Sequence, residues 1–309
     1  MPYPEHHGHH HHHHHSAHAD ADRGALRLAL ALIGAFMLVE VVAGILAGSL
    51  ALLSDAAHML TDAAALGLAL VAASLAARPP KGAFTFGLHR AEILSAQVNG
   101  GALLALGAVI GVGAIGRLAD PVAVDGAVVV VVGTVGALVN LAAAWALARG
   151  SRRSLNVEGA RMHVLADLFA SLGAVAAGVL VLTLDFDRAD PLAALLVAGL
   201  MLRSAWSLLR DSGRVLLEAA PRGFDVPEIG NALAAQPGVV EVHDLHVWEV
   251  TSGFPALAAH VVVEPGDDCH ATRRALQAML HDRFALDHVT LQVDHASRGG
   301  LLEIDVPER

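Results

Sequence analysis

Two short stretches of this 309-residue chain set an imidazole and a carboxylate four residues apart: His58 and Asp62 in "SDAAHMLTDAAALGLAL" (residues 54–70), and His163 and Asp167 in "ARMHVLADLFAS" (residues 160–171). On a helix, residues four apart share a face, separated by about 6 Å along the axis. Each stretch therefore presents one nitrogen and one oxygen ligand side by side. Two such faces brought together supply two nitrogens and two oxygens, a donor set that suits a tetrahedral Zn²⁺ with bonds of about 2.0–2.2 Å. A single His-x-x-x-Asp is a weak signal, because one buried polar residue can serve as a hydrogen-bond partner for a neighbouring helix. Two copies, each inside a different long apolar block, point to a metal, since ionisable groups at bilayer depth are costly and mark function. Asp55, three residues before His58, is expected to lie outside the ligand set, as a vestibule or helix-capping acid.

The elements that position these residues are apolar. The chain is 55% hydrophobic with a mean hydropathy of +0.54. Blocks at roughly 25–47, 50–77, 92–117, 124–148, 159–184 and 190–210 are each long enough to cross a bilayer as a helix. Ala, Leu, Val and Gly fill them, and small residues let membrane helices pack closely. Arg23, Arg27, Arg78, Lys81, Arg90, Arg149, Arg152, Arg153, Arg210 and Arg214 fall at alternate ends of the blocks. The positive-inside rule then puts both termini in the cytoplasm. A net charge of −10 without a basic face excludes a nucleic-acid partner. Cys269 is the one cysteine, so no intramolecular disulfide exists and metal sites must rest on His and carboxylate.

Residues 1–24 hold ten histidines, in "HHGHHHHHHHSAH" and its surroundings, and are expected to be a disordered cytoplasmic tail. An expression tag and a natural metal-collecting tail both fit; Gly8 and His18 interrupt the pattern of a tag. The six-helix membrane domain is expected over 25–212. Residues 213–297 change to soluble patterning: "DVPEIGNALAAQPG" reads as a helix, "VVEVHDLHVWEV" and "ALAAHVVVEP" as strands, "DDCHATRRALQAMLHDRF" as a helix started by Asp267 or Asp268, and "HVTLQVDH" as a strand. Residues 298–309 form a C-terminal tail. The fold class is thus an α-helical membrane protein with six transmembrane helices, followed by a small cytoplasmic α+β domain of order αββαβ.

Other chemistries are weighed against this one. An intramembrane zinc hydrolase needs an open coordination position and a general base, and the sequence has no His-Glu-x-x-His. Haem ligated by His58 and His163 would leave Asp62 and Asp167 buried with nothing to pair with. A pure metal sensor has no use for six membrane helices.

The sequence resembles the cation diffusion facilitator family, in its bacterial zinc-exporting branch. The resemblance rests on "GSLALLSDAAHMLTDAAAL", "FGLHRAEILSAQVNG", "HVLADLFASLGAV" and "VHDLHVWEVTSG", and it covers nearly the whole chain. It implies a homodimeric, proton-coupled exporter of Zn²⁺, with Cd²⁺ or Co²⁺ as further cargoes, in the inner (plasma) membrane, and not an enzyme. No prosthetic group is implied; the partners are the bilayer, divalent metal ions, protons and a second copy. The transport site it implies is His58, Asp62, His163 and Asp167, and His58 in place of an aspartate favours zinc. A regulatory zinc site with a metallochaperone-like fold around it is implied at His243, His260, His270 and Asp294. His246 and His288 are expected to be structural. Gln292 stands where some members have a histidine, and Leu88 where some have a histidine of a further site. Arg90 and Glu218 match a family ion pair.

Overall fold

The computed structural model describes residues 34–148 and 155–296, with the side chains at 146–163 and 166 outside that description. The His-rich segment 1–24, the tail 298–309, the arginines at 149, 152 and 153, and the His163 side chain therefore lie outside the described residues. The chain divides into two compact units, residues 1–65 with 100–206, and residues 66–99 with 207–309.

The first unit is helical. It draws on α1 (described over Gly34–Ala47), α2 (Leu50–Ala76), α3 (Ala91–Ala119), α4 (Gly126–Ala148), α5 (Leu155–Leu184) and α6 (Ala189–Leu216). Five of these, α2 to α6, are long and apolar enough to cross a membrane, and α1 adds a shorter apolar helix over its described residues. Burial is inverted relative to a soluble bundle. Leu46, Val109 and Val112 face outward, while Glu40, Ser49, Ser54, Asp55, Asn140, Asp167, Ser171 and Asp190 are buried. Lipid tails solvate apolar side chains as well as a protein core does, so the interior is left to small and polar groups.

Glycine sets the closest approach. A Cβ on Gly178 of α5 would meet Val130 Cγ2 at 2.9 Å and Val129 Cγ1 at 3.0 Å, so the α4 and α5 backbones pack where only hydrogen fits. Gly133 lies against Val175 and Gly136 beside Ser171, which makes the pair antiparallel.

The start of α2 is tied down by another helix. Asp190 of α6 accepts hydrogen bonds from Ser49 Oγ, from the Leu50 amide at 2.7 Å and from the Ala51 amide at 3.3 Å. These are donors that a helix N-terminus cannot satisfy internally. Arg117 donates to the Gly48 carbonyl at 2.6 Å and closes the same corner. α6 runs six residues past the apolar block that ends at 210, because its charged residues still form helix and its last-turn Arg214 complements the helix dipole.

The second unit contains α7 (Val226–Ala234), β1 (Val239–Glu249), β2 (Pro255–Val263), α8 (Cys269–Phe284) and β3 (His288–His295), the expected αββαβ order. The sheet order is β1-β2-β3, with β1 and β2 antiparallel and β2 and β3 parallel across α8. Ile229 and Leu233 of α7 and Leu276 and Leu280 of α8 bury themselves with Leu257, Val261 and Leu291 of the sheet. Asp225 caps α7, and Asp268, not Asp267, caps α8 by accepting from the His270 and Ala271 amides at 2.9 and 3.0 Å. Those amide bonds hold the Asp268 carboxyl below its ordinary value.

Candidate metal sites

In α2, His58 Nε2 and Asp62 Oδ2 are 3.6 Å apart. That is too long for a hydrogen bond, and it matches the edge of a tetrahedron with bonds of about 2.0–2.2 Å, which is roughly 3.3–3.6 Å. Asp167 of α5 is buried, and position 163 lies one turn before it on the same helix.

The register between α2 and α5 relates the two pairs. Ser171 donates to Asp55 Oδ2 at 3.4 Å, and Ala51 and Leu52 share a buried cluster with Ala174. The helices therefore run antiparallel past each other, each step forward on α2 being a step back on α5. Counted in ideal helical turns from the Asp55–Ser171 contact, His58 falls near the level of Asp167, and Asp62 near the level of position 163.

Asp55 itself is neither a vestibule acid nor a cap. It is 1% exposed and lies within α2, accepting a hydrogen bond from Ser171, while Asp190 does the capping. Asn140 of α4 donates to Ser171 Oγ at 3.3 Å, so three helices meet in one polar network, with Glu40 of α1 also buried. Glu40 and Asn140 are residues that the sequence reading passed over. Their signal was present, since each is a polar residue within an apolar block.

On the soluble domain, His243, Asp244 and His260 bring ligand atoms within 4.8 Å of one another, and among the described residues this is the group that could share an ion. His243 and His260 are cross-strand partners with ring centroids 5.3 Å apart. Asp244 joins them through an irregularity: the β1–β2 register shifts between His243 and His246, and Asp244 adopts φ +49. Aspartate tolerates that left-handed conformation better than most residues. His270 and Asp294, the other two expected ligands, lie outside this group; Asp294 Oδ2 instead accepts from Gln292 at 2.8 Å. His246 lines a cavity of about 1070 Å³ beside Arg90 and Trp248, and His288 packs edge-on against Phe86 and Phe254. Arg90 pairs with Glu218 at 3.0 Å.

A model of the cation efflux transmembrane domain matches residues 26–217, and one of the cation efflux protein cytoplasmic domain matches 221–296. The chain belongs to the cation efflux family. It is a membrane transporter of metal cations and not an enzyme. Among cation efflux relatives, the zinc transporter ZitB of Escherichia coli is 42% identical over 87% of this chain and 87% of its own. The metal cation efflux system protein CzcD of Cupriavidus metallidurans is 40% identical over 88% of this chain and 86% of its own. The cadmium, cobalt and zinc/H(+)-K(+) antiporter of Bacillus subtilis is 37% identical over 87% and 88%. The metal-bound C-terminal domain of CzcD, a solved structure, is 38% identical, covers 23% of this chain and 97% of its own, and superposes with a TM-score of 0.22.

Proposed function

We propose that this member of the cation efflux family exports Zn²⁺ from the cytoplasm in exchange for protons, through an intramembrane site made of His58, Asp62, His163 and Asp167. The observation that supports the reading is the Asp55–Ser171 contact between α2 and α5, the two helices that carry the His-x-x-x-Asp turns. The relatives named as zinc transporters, and the one named for cadmium, cobalt and zinc, support Zn²⁺ as cargo with Cd²⁺ and Co²⁺ beside it.

Ligation needs neutral imidazole and ionised carboxyl groups, so protons compete with the metal for the same four side chains. A histidine, with a reference pKa of about 6.5, exchanges its proton near neutral pH. Protons entering from the acidic side displace Zn²⁺ from the ligands and reset the carrier. The positive-inside rule, applied to the basic loops, supports cytoplasmic termini and an inner-membrane location.

The soluble domain regulates this cycle. His243, Asp244 and His260 hold a zinc ion on one copy, and His270 and Asp294 remain available to a second copy, so zinc favours the homodimer by mass action. The test is zinc uptake into proteoliposomes under an imposed pH difference. Asp167→Ala abolishes it in folded protein; uptake at the wild-type rate by that variant refutes the site.

A further inference from the structure

The tie between the two ligand-bearing helices runs through one hydroxyl. Ser171 Oγ of α5 lies 3.4 Å from Asp55 Oδ2 of α2 and 3.3 Å from Asn140 Nδ2 of α4. A hydroxyl has one proton to give and lone pairs to receive with. The Asn140 amide nitrogen can only donate and the Asp55 carboxylate can only accept, so Ser171 accepts from the first and donates to the second. Ser171 and Asp55 are 1% exposed and Asn140 is 0% exposed, so solvent does not compete for these groups. The α4 surface is cut to fit. A Cβ on Gly136 would meet Phe36 Cζ of α1 at 2.7 Å and Ser171 Oγ at 3.3 Å, and one on Gly133 would lie 3.5 Å from the Ser171 carbonyl oxygen.

The position of this tie gives it leverage on the metal. Asp55 precedes His58 by three residues and Ser171 follows Asp167 by four, so the contact lies about one turn from a ligand on each helix. Within α2 the ligand spacing is set by the helix itself, with His58 Nε2 and Asp62 Oδ2 3.6 Å apart. The separation of α2 from α5 is not set that way, and a cation held between them meets that separation as its bond length. Tetrahedral Zn²⁺ takes bonds of about 2.0–2.2 Å, whereas a larger divalent ion such as Cd²⁺ needs a wider site. Ser54 provides the contrast. It is equally buried and adjoins Asp55, but its hydroxyl donates at 2.6 Å to the Leu50 carbonyl of its own helix.

We infer that Ser171 is a positioning residue that sets metal selectivity: bonded to Asp55 and Asn140, it holds α2 and α5 at the separation that fits Zn²⁺ and disfavours larger divalent ions. The inference rests on the exporter reading above and assigns the selectivity of that site to a side chain that is not itself a ligand. Loss of the hydroxyl keeps all four ligands and lets the two helices adjust, so zinc is held less well and cadmium gains relative to it.

The experiment uses the full chain in proteoliposomes, with initial rates of Zn²⁺ and of Cd²⁺ uptake measured against metal concentration under the same pH difference. The wild type favours zinc, and the ratio of Vmax/KM for zinc to that for cadmium falls about five-fold or more in Ser171→Ala, the size of one interhelical hydrogen bond. Asn140→Ala, which keeps the Ser171 bond to Asp55, shifts the ratio the same way by less. Ser54→Ala removes a buried hydroxyl from the same stretch of α2 and leaves the ratio unchanged, which separates positioning from a general loss of stability. An unchanged ratio in folded Ser171→Ala overturns the inference, as does an equal shift in Ser54→Ala or a wild type with no preference for zinc. If Ser171→Ala does not fold, Ser171→Cys, which keeps a weaker donor of similar size, is read by the same criteria, and failure of both to fold makes Ser171 structural and overturns the proposal. A wild type that moves neither ion, or Asp167→Ala protein that moves zinc at the wild-type rate, contradicts the exporter reading and takes this inference with it. Zinc uptake that is lost in Asp167→Ala, with unaltered selectivity in Ser171→Ala, contradicts the inference alone.

Discussion

Replacing Asp190 with alanine removes the acceptor for three donors at the first turn of α2: the Ser49 hydroxyl and the Leu50 and Ala51 amides. The hydroxyl can rotate toward another oxygen, but the two amides are fixed by the helix. Leaving a buried donor unsatisfied costs about 1–3 kcal/mol, so Asp190→Ala is expected to destabilise the protein by about 2–5 kcal/mol. Asp190→Asn keeps one acceptor oxygen and loses the charge that complements the helix N-terminus, an effect of about 0.3–1 kcal/mol, so its cost is near 1–2 kcal/mol. Thermal unfolding of the purified protein in one detergent, followed by intrinsic fluorescence, ranks the three proteins as wild type, Asn variant, Ala variant. The same order is expected in zinc uptake, because the start of α2 sets the register of His58 and Asp62. If Asp190→Ala unfolds within a degree of the wild type, the reasoning that a second helix completes this terminus is wrong.

Further outcomes follow from other contacts. Gly178→Leu drives a side chain into Val129 and Val130, and overpacking of this kind costs about 1–3 kcal/mol or more, read as a lower Tm and poor recovery of folded protein. Asp244→Ala lowers the zinc affinity of the soluble domain at least ten-fold by titration calorimetry, since it removes one of three converging ligands; unaltered affinity would mean that the bulge conformation of Asp244 has no part in binding. Asp268→Ala lowers Tm at neutral pH by deleting the α8 cap. Because the folded-state carboxyl is held below its ordinary value, that stabilisation is present above the unfolded value near 3.9 and is lost as pH falls through the folded one, so the wild-type and variant Tm values converge in acid. Arg90→Ala changes Tm little, because the Arg90–Glu218 pair is half-exposed and such pairs contribute about 0–1 kcal/mol.

Most of the architecture is legible in the order of the residues. Apolar length announces α2 to α6, and alternation with turn residues announces β1 to β3, because both signals are local. The end of α6 is less legible: hydropathy falls at Arg210, but helix propensity does not, and the helix runs on to Leu216. Asp55 illustrates the larger difficulty. Its place on a helix can be read from the sequence, but its partner Ser171, itself bonded to Asn140, comes from another helix, and no local pattern sets which residue it meets. Asp244 is a similar case, since the register shift and left-handed backbone that bring it to His243 and His260 depend on pairing with β2. The pairing of His58 with Asp62, by contrast, is set by the helix itself, and the 3.6 Å separation follows from the spacing.

The central claim is tested most directly by X-ray absorption at the zinc edge, on protein with the His-rich residues 1–18 deleted and carrying His243→Ala and His260→Ala, so that neither the tail nor the soluble domain holds an ion. The account predicts one bound zinc with four nitrogen and oxygen ligands at about 2.0–2.2 Å and the outer-shell scattering of two imidazoles, lost on further substitution of Asp62 by alanine. A zinc with six ligands at longer distances, or with one imidazole, or one retained after Asp62→Ala, would contradict it.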